Sequence, residues 1–531
     1  VTLKKCRICG TQFTDLDACP RCGSRFYFDS KAVISVLQKL ALEVDEVYVA
    51  TDPDIEGEKI AYDVYNCISA LNGRIKRVEL HEITLSEFLK RISRARDLDL
   101  RLVEAEIYRR VLDRLIGFSL SKKLQLVYGK KYLGAGRVQT PVLGLIIDRY
   151  REYLANRCRK VVIEIGEPLE LSISACIEES NKGLLDVLRG AKQVVFFKES
   201  EIVEQISPKP PYTTDEILFD ASRKGFGAAE AMRILQELFE AGLITYHRTD
   251  CTYVSDAGIS VAREYLGTKG YLRLFKPSHW GEPGPHEAIR PVYPLDSEDL
   301  LKAIDEGVLD VAIPITSKHL KLYDMIFKRF IASQMRSFKA LRAIYRVLVS
   351  NIEIAKVSLY LNILEEGFNV ITNVKTYPQI ADLDTFTAAI RSLTLKNSSK
   401  TPLYREGDVV MLMKKYGIGR PSTYAKTIET IKRHGYVVES RILKKLVPTK
   451  RGIAVYEFLK TNYPELVSIE LTRKMETTID LIVSGKITGY DALLELLAEI
   501  KAIGLLGEEL PSLNLYQYIG PYSTFYRATA N

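Results

Sequence analysis

Four cysteines near the start of the chain stand at a spacing that suits one metal ion. Cys6-x2-Cys9-x9-Cys19-x2-Cys22 sets out two thiol pairs, each followed by a glycine, Gly10 or Gly23. Two such knuckles converge on a tetrahedral Zn²⁺ with sulfurs at about 2.3 Å, and glycine suits the tight turns. All four ligands are protein atoms, so the expected role is structural. The plainer alternative is four independent buried cysteines; a redox pair is disfavoured because nothing thioredoxin-like surrounds either motif. A second set is acidic: Asp52-Pro53-Asp54-Ile55-Glu56-Gly57-Glu58. In extended chain alternate residues share a side, so Asp52 and Asp54 offer oxygens to one hard cation with Glu56 nearby. Mg²⁺ takes few carboxylates plus waters and substrate phosphate, and a partial cage of this kind fits it. The alternative is an acidic helix amino terminus answering the macrodipole.

Elements must hold these groups in place. Lys31 to Leu42 is amphipathic, Asp45 to Thr51 reads as a short buried strand, Gly57 to Ser69 as a helix and Arg77 to Leu80 as a strand. Strand, turn, helix and strand at this spacing imply a parallel sheet with the acidic motif at a strand's carboxyl end. Residues 86–150 read as helices, and β-branched residues from Lys160 to Glu204 suggest an antiparallel β region. Pro208, Pro210 and Pro211 mark a boundary; residues 213–265 are helical with a short strand at Gly242–Thr245. Strands are expected again over 340–375, then helices over 420–505 with a β-ribbon near Tyr436–Pro448. There are no tandem repeats, and Gly-x4-Gly-Lys-Ser/Thr is absent, so no P-loop for ATP is present.

Length and composition bound what these elements can be. The 531 residues are 47% hydrophobic and 27% charged, enough for three to five globular domains. No apolar run of about 18 residues occurs, which excludes a membrane helix. The first residues, Val-Thr-Leu-Lys-Lys-Cys, do not read as a signal peptide, and the missing initiator Met suggests a processed or excised chain. Eight cysteines are too sparse for a disulfide scaffold, and the expected setting is soluble and cytoplasmic. Net charge is 75 − 67 = +8, but it is unevenly placed. Ala105 to Arg137 carries eight Lys/Arg against two acids, and Val409 to Arg451 eleven against two. Those stretches sum to +15, so the remainder is −7, a footprint of polyanion binding rather than of two solvated helix faces. Asn and Gln total only 22, a depletion seen in thermophile proteins.

The acidic motif after a strand resembles the Toprim motif of type IA DNA topoisomerases. Five further segments resemble that family's motifs in its order: Arg109-Arg110-Val111-Leu112-Asp113-Arg114; Gly136-Arg137-Val138-Gln139-Thr140-Pro141; Gly242-Leu243-Ile244-Thr245-Tyr246-His247-Arg248-Thr249-Asp250; His286-Glu287-Ala288-Ile289-Arg290-Pro291; and Gly417-Ile418-Gly419-Arg420-Pro421-Ser422-Thr423-Tyr424. The resemblance spans roughly residues 45–500. A zinc module just before the acidic motif is similar to the topoisomerase half of the reverse gyrases. Two positions depart from the common pattern: Ile55 stands where Arg is frequent and Cys251 where Ser is common. The family's first Toprim strand, with its Glu and Lys, and the ATP-using helicase half are not found in this sequence. The expectation that follows is single-stranded DNA binding with weak cleavage by this chain alone.

The resemblance implies a multidomain α/β and α+β fold arranged as a type IA torus. Its parts would be a zinc finger (1–28), a partial Toprim sheet (29–95), helical gate segments (96–155 and 405–531), a β-rich arch (156–208 and 331–404) and a nucleophile domain (209–330). Among thirty tyrosines, Tyr246 is singled out because a helix ends at Ala241-Gly242 and a short strand then delivers Tyr, Arg and Asp together. By the resemblance it attacks one DNA strand and keeps the 5′ end. A phenol of pKa about 10 is a weak nucleophile but a good leaving group, so the ester can be resealed without ATP. Arg248 would clamp the phosphoryl oxygens, His286 would contact phosphate unless it is simply structural, and Asp250 would orient one of them. Arg420, Ser422 and Thr423 sit in a glycine-rich turn opening a helix and could hold backbone phosphates. Arg137, Gln139 and Arg290 are further expected DNA contacts. Of Arg109, Arg110 and Arg114, spacing puts the last two on one face, so one or two should touch DNA. Expected ligands are Zn²⁺ on the cysteines, Mg²⁺ on Asp52, Asp54 and Glu56, single-stranded DNA, and the helicase half as partner. The other readings are a relaxing type IA enzyme and a noncatalytic zinc-dependent DNA-binding module.

Overall fold

The computed structural model describes residues 3–178 and 182–502, and the chain divides into two compact units: residues 1–114 with 477–531, and residues 115–476. The expected tail beyond residue 502 lies outside the described residues.

The first unit begins with a three-stranded antiparallel sheet in which Lys4–Cys6 lies between Gln12–Phe13 and Tyr27–Asp29. Phe13 packs edge-on against Tyr27 behind the cysteines, supplying what little apolar core a module of this size can bury. Asp29 then caps the helix Ser30–Glu43, accepting the Lys31 amide at 2.9 Å. Strands Val47–Val49 and Ile75–Arg77 pair in parallel, with helix Ile55–Ile68 between them in sequence. The expected second strand lies slightly earlier than Arg77–Leu80. Its ladder to Val47–Val49 stops at Arg77, whose backbone also bridges antiparallel to Arg96.

In the second unit two segments far apart in sequence build one six-stranded sheet. The spatial order is Ile352–Glu365, Phe338–Val349, Gln193–Ile206, Thr385–Ser399, Arg157–Ile165, Leu171–Ile177, each neighbour antiparallel. Alternation of apolar and polar residues gives it a buried face on which Phe196 stacks against Phe386 at 4.7 Å and Tyr345 meets both edge-on. Cys158 and Cys176 form a disulfide between its last two strands, a single staple within a chain otherwise free of disulfides among the described residues. The long helical stretch expected over 213–265 is three helices, Thr214–Arg223, Ala228–Glu240 and Asp256–Thr268. Gly225 and Gly242, at φ of 91° and 70°, make the breaks. The ribbon expected near Tyr436–Pro448 is present as Val437–Glu439 against Leu446–Pro448.

Candidate active site

The two cysteine knuckles are built almost identically. Gly10 and Gly23, both at φ 70°, donate their amides to the carbonyls of Cys6 (3.0 Å) and Cys19 (2.8 Å), and the amides of Cys6 and Cys19 reach the carbonyls of Thr11 and Ser24. The four sulfurs lie within 4.8 Å of one another, with Cys6–Cys22 at 3.6 Å and Cys9–Cys19 at 3.4 Å. A tetrahedral zinc with bonds of about 2.3 Å separates its sulfurs by about 3.8 Å, so the donor set fits that ion. The proton balance agrees with this. The Thr11 hydroxyl and amide pull the Cys9 thiol down to about 6, whereas Cys22, although drawn down by the Ser24 amide, is pushed up to about 12 by Cys9, Cys6 and Cys19. Four thiols this close cannot all ionise unless a cation offsets their charge.

The acidic loop follows strand Val47–Val49 and opens helix Ile55–Ile68. Asp54 is its N-cap, accepting the Gly57 amide at 2.7 Å. The loop folds back so closely that a Cβ on Gly57 would lie 1.9 Å from the Asp52 carbonyl oxygen, and the Gly57 carbonyl accepts the Thr51 hydroxyl at 2.7 Å. Asp52, Asp54 and Glu56 are each half-buried. Asp54 thus caps the helix that the acidic motif opens. Among the described residues the three carboxylates do not form a tight cluster like that of the thiols.

Beneath the loop lies a group that sequence reasoning passed over. Glu58, fully buried, accepts Arg77 Nε (2.9 Å), Arg96 Nη1 and Nη2 (2.8 and 2.9 Å) and the Asp99 amide (2.7 Å). Burial pushes its pKa up, but Arg96, the Asp99 amide and Arg77 outweigh this and hold it below the usual carboxylate range. Arg77, 1% exposed, also donates to the carbonyls of Val49, Thr51 and Asp52 at 3.1, 2.9 and 2.7 Å. One guanidinium thus fixes the strand end from which the acidic motif departs.

Of the three arginines expected to split between DNA and structure, Arg109 is 8% exposed and paired with Glu106 at 2.8 Å. Arg110 is half-buried, 2.7 Å from Glu106 and 3.9 Å from Glu56, and Arg114 is exposed.

In the second unit Tyr246 lies on a clamped loop rather than the expected strand; Ile244 makes only an isolated bridge to Pro291. Gly242 and Leu243 cap the preceding helix through Phe239 and Leu238, and the Thr245 amide donates to the Arg290 carbonyl at 2.9 Å. On the other side the Thr214 hydroxyl donates to the His247 carbonyl (2.7 Å) and accepts the Thr249 amide (2.8 Å). Residues from three parts of the chain, two of them helical, satisfy the segment's backbone groups. The Tyr246 ring, 2% exposed, meets Phe239 edge-on at 5.2 Å and lies near-parallel to His286 at 6.2 Å. The structure therefore does bring Tyr246 and His286 together. Arg248 reaches Gln236 Oε1 at 3.4 Å, and Cys251, in the place where Ser is common, accepts the Tyr253 amide on sulfur at 3.3 Å. His247 is fully buried and neutral, its pKa lowered to about 3 by burial and by Arg248.

Four of the expected DNA contacts are engaged within the protein. Arg290 is 2% exposed, its Nε on Glu287 at 2.7 Å, and it packs on Gly258, where a Cβ would come within 2.8 Å of it. Arg137, 3% exposed, donates to Glu476 at 2.7 Å, and Arg420 donates to the same carboxylate at 3.0 Å. The half-buried Thr423 hydroxyl accepts the Arg420 amide at 2.8 Å. The buried guanidiniums of Arg290 and Arg137 are spent on carboxylates because an unpaired internal charge is costly. Glu476, which sequence reasoning missed, gathers two of the basic motifs; burial raises its pKa, but Arg137 and Arg420 hold it low. Gln139, at the start of helix Gln139–Ala155, and Ser422 are half-buried, and Asp250 is exposed. Asp250 and Arg420 both act electrostatically on Tyr424, so the Tyr246 loop and the glycine-rich turn lie near one another.

Comparison with known proteins follows the same division. Residues 97–493 match the family model described as DNA topoisomerase, and residues 15–83 the Toprim domain. The chain is 43% identical over 508 residues to the reverse gyrase of Pyrococcus furiosus, covering 94% of this chain and 40% of that protein. It is 42% identical to reverse gyrase 2 of Aeropyrum pernix, covering 91% and 40%. The chain thus spans about two fifths of the length of these relatives. Full-length topoisomerase I of Thermotoga maritima superposes with a TM-score of 0.68 at 26% identity, over 94% of this chain and 85% of that one.

Proposed function

The chain belongs to the DNA topoisomerase family, and from that premise we propose that it is the strand-cutting and resealing part of a reverse gyrase. The Tyr246 hydroxyl attacks a backbone phosphorus of one strand; the phosphodiester becomes a 5′-phosphotyrosine, and the 3′ oxygen leaves as a hydroxyl. A second strand passes, and the 3′ hydroxyl then attacks the phosphotyrosine and returns the phenol. No bond energy is lost, so the cycle needs no nucleotide. Arg248 neutralises charge developing on the phosphoryl oxygens, and His286, ring to ring with Tyr246, positions the phosphate. Asp52, Asp54 and Glu56 would hold a magnesium ion, whose charge steadies phosphate oxygens. The cysteine site would be purely structural.

Exposed Arg114 and the half-buried Arg110, Gln139 and Ser422 are the proposed DNA contacts, with the basic 409–451 stretch tracking the backbone. With a helicase half, fused or separate, the same cycle would be biased by ATP toward positive supercoils. A low Asn and Gln content fits a thermophilic source, and the cytoplasm is the proposed location; no described helix is long and apolar enough to cross a membrane.

The observation that carries the reading is that one tyrosine of thirty sits on a loop clamped from both sides, stacked near a histidine and two residues from an arginine. Incubation with a labelled single-stranded oligonucleotide and denaturing gel analysis tests it. Tyr246→Phe removes only the phenolic oxygen, so covalent capture should vanish while DNA binding stays close to wild type. A protein-linked, cleaved strand from the Phe variant would falsify the assignment.

A further inference from the structure

The ribbon Val437–Glu439 and Leu446–Pro448 ends in the tip Ser440-Arg441-Ile442-Leu443-Lys444-Lys445. Its outermost side chains are aliphatic: Ile442 is 92% exposed and Leu443 64%. Single exposed apolar residues are ordinary on protein surfaces, but two adjacent ones at the apex of a braced turn ask for a partner.

The turn is braced by its own hydrogen bonds. The Ser440 amide donates to the Lys445 carbonyl at 2.8 Å, the Lys445 amide to Ser440 Oγ at 2.8 Å, and the Lys444 amide to the Ser440 carbonyl at 3.1 Å. Lys444 takes a left-handed φ of 52° to close it. The flank is strapped to residues 403–405: the Leu446 amide donates to Tyr404 at 2.8 Å, Lys445 Nζ to Leu403 at 2.6 Å and Arg405 Nε to Leu443 at 3.4 Å. At the base, buried Tyr436 donates its hydroxyl to the Gly134 carbonyl (2.8 Å) and accepts the Gly134 amide (3.0 Å). A pair of aliphatic chains is thereby held out on a rigid stem.

Charge selects the partner. From Ser440 to Arg451 there are Arg441, Lys444, Lys445, Lys450 and Arg451 and no acid. Glu439, just before, is neutralised by Lys432 at 3.4 Å and Lys444 at 3.9 Å. A partner that is anionic outside and apolar within is a nucleic acid whose bases are opened. Apolar wedges flanked by cations part base steps in this way.

We propose that the ribbon tip is a wedge entering the base stack where single-stranded DNA meets duplex, with Ile442 and Leu443 against the bases and Arg441 and Lys444 on flanking phosphates. This rests on the reading above that DNA is the substrate. The probe is a forked DNA carrying 2-aminopurine at the junction, titrated with the full chain; an oligo-dT strand reports general single-strand binding separately. Wild type should raise the junction fluorescence as the base unstacks. Ile442→Ser with Leu443→Ser should lose that rise while oligo-dT affinity stays within about twofold. Arg441→Gln with Lys444→Gln should make the salt dependence of fork binding shallower by about 1.5 in the log–log slope. An unchanged fluorescence rise in the serine variant overturns the wedge. So does a wild-type protein that binds the fork without unstacking it, or a serine variant whose only loss is self-association or binding to anionic vesicles. Failure to bind oligo-dT at all would instead sink the DNA reading itself, which the Tyr246 capture experiment checks independently.

Discussion

Glu58→Gln offers the sharpest view of how the acidic loop is held. The wild-type carboxylate accepts four hydrogen bonds: Oε1 takes Arg96 Nη1 and the Asp99 amide, and Oε2 takes Arg77 Nε and Arg96 Nη2. A glutamine keeps one oxygen and so retains the bonds of one side. Its NH₂ faces guanidinium donors on the other, so two charge-assisted bonds go, each worth about 1.5–3 kcal/mol. The side chain of Arg77 is fully buried and is left without its counter-charge. Breaking one partner of such a pair typically costs about 3–5 kcal/mol. Because Arg77 also pins the carbonyls of Val49, Thr51 and Asp52, the loss should appear first as local opening there.

Hydrogen exchange of the amides over residues 47–58 is the assay, with a fall in protection of roughly 10²–10³-fold expected. Glu58→Leu with Arg77→Met removes both buried charges but also strips the donor from the Val49, Thr51 and Asp52 carbonyls, so protection there should stay low. Acid supplies a second arm. The folded pKa of Glu58 is depressed, so its contribution is present above the ordinary value of 4.5 and is lost as pH falls through the folded value. Wild-type protection in Glu58→Gln, or in the double variant, would refute the argument.

Three other outcomes follow from the same structure. Zinc chelation, or Cys19→Ala, should speed exchange within residues 1–28 and weaken DNA handling while leaving the rest folded; metal analysis finding no zinc in the purified protein would contradict the four-thiol site. Gly57→Ala places a Cβ 1.9 Å from the Asp52 carbonyl oxygen, so Mg²⁺-dependent cleavage should fall by about 10²-fold or more with zinc content unchanged. Glu476→Gln strips the shared partner from Arg137 and Arg420 and should cost the second unit about 3 kcal/mol, read as a lower unfolding midpoint of that unit by calorimetry.

The zinc knuckles were legible in sequence because everything that shapes them is local: a thiol pair, a left-handed glycine and an amide a few residues on. The acidic loop was legible for the same reason, as was the parallel pairing implied by strand, turn and helix at close spacing. Charge clustering correctly marked where cations gather, yet not which of them face outward. That was decided by tertiary pairing. Arg77 meets Glu58 across 19 residues and Arg137 meets Glu476 across 339, and no periodicity reports such partners. The loop bearing Tyr246 is apolar enough to read as a strand, but its backbone groups are taken up by Arg290 and Thr214 from elsewhere in the chain. Spacing along the chain fixed which groups could bind metal or carry a nucleophile. Long-range burial decided which arginines are structural, because a charge taken out of water must find its counter-charge wherever the fold supplies one.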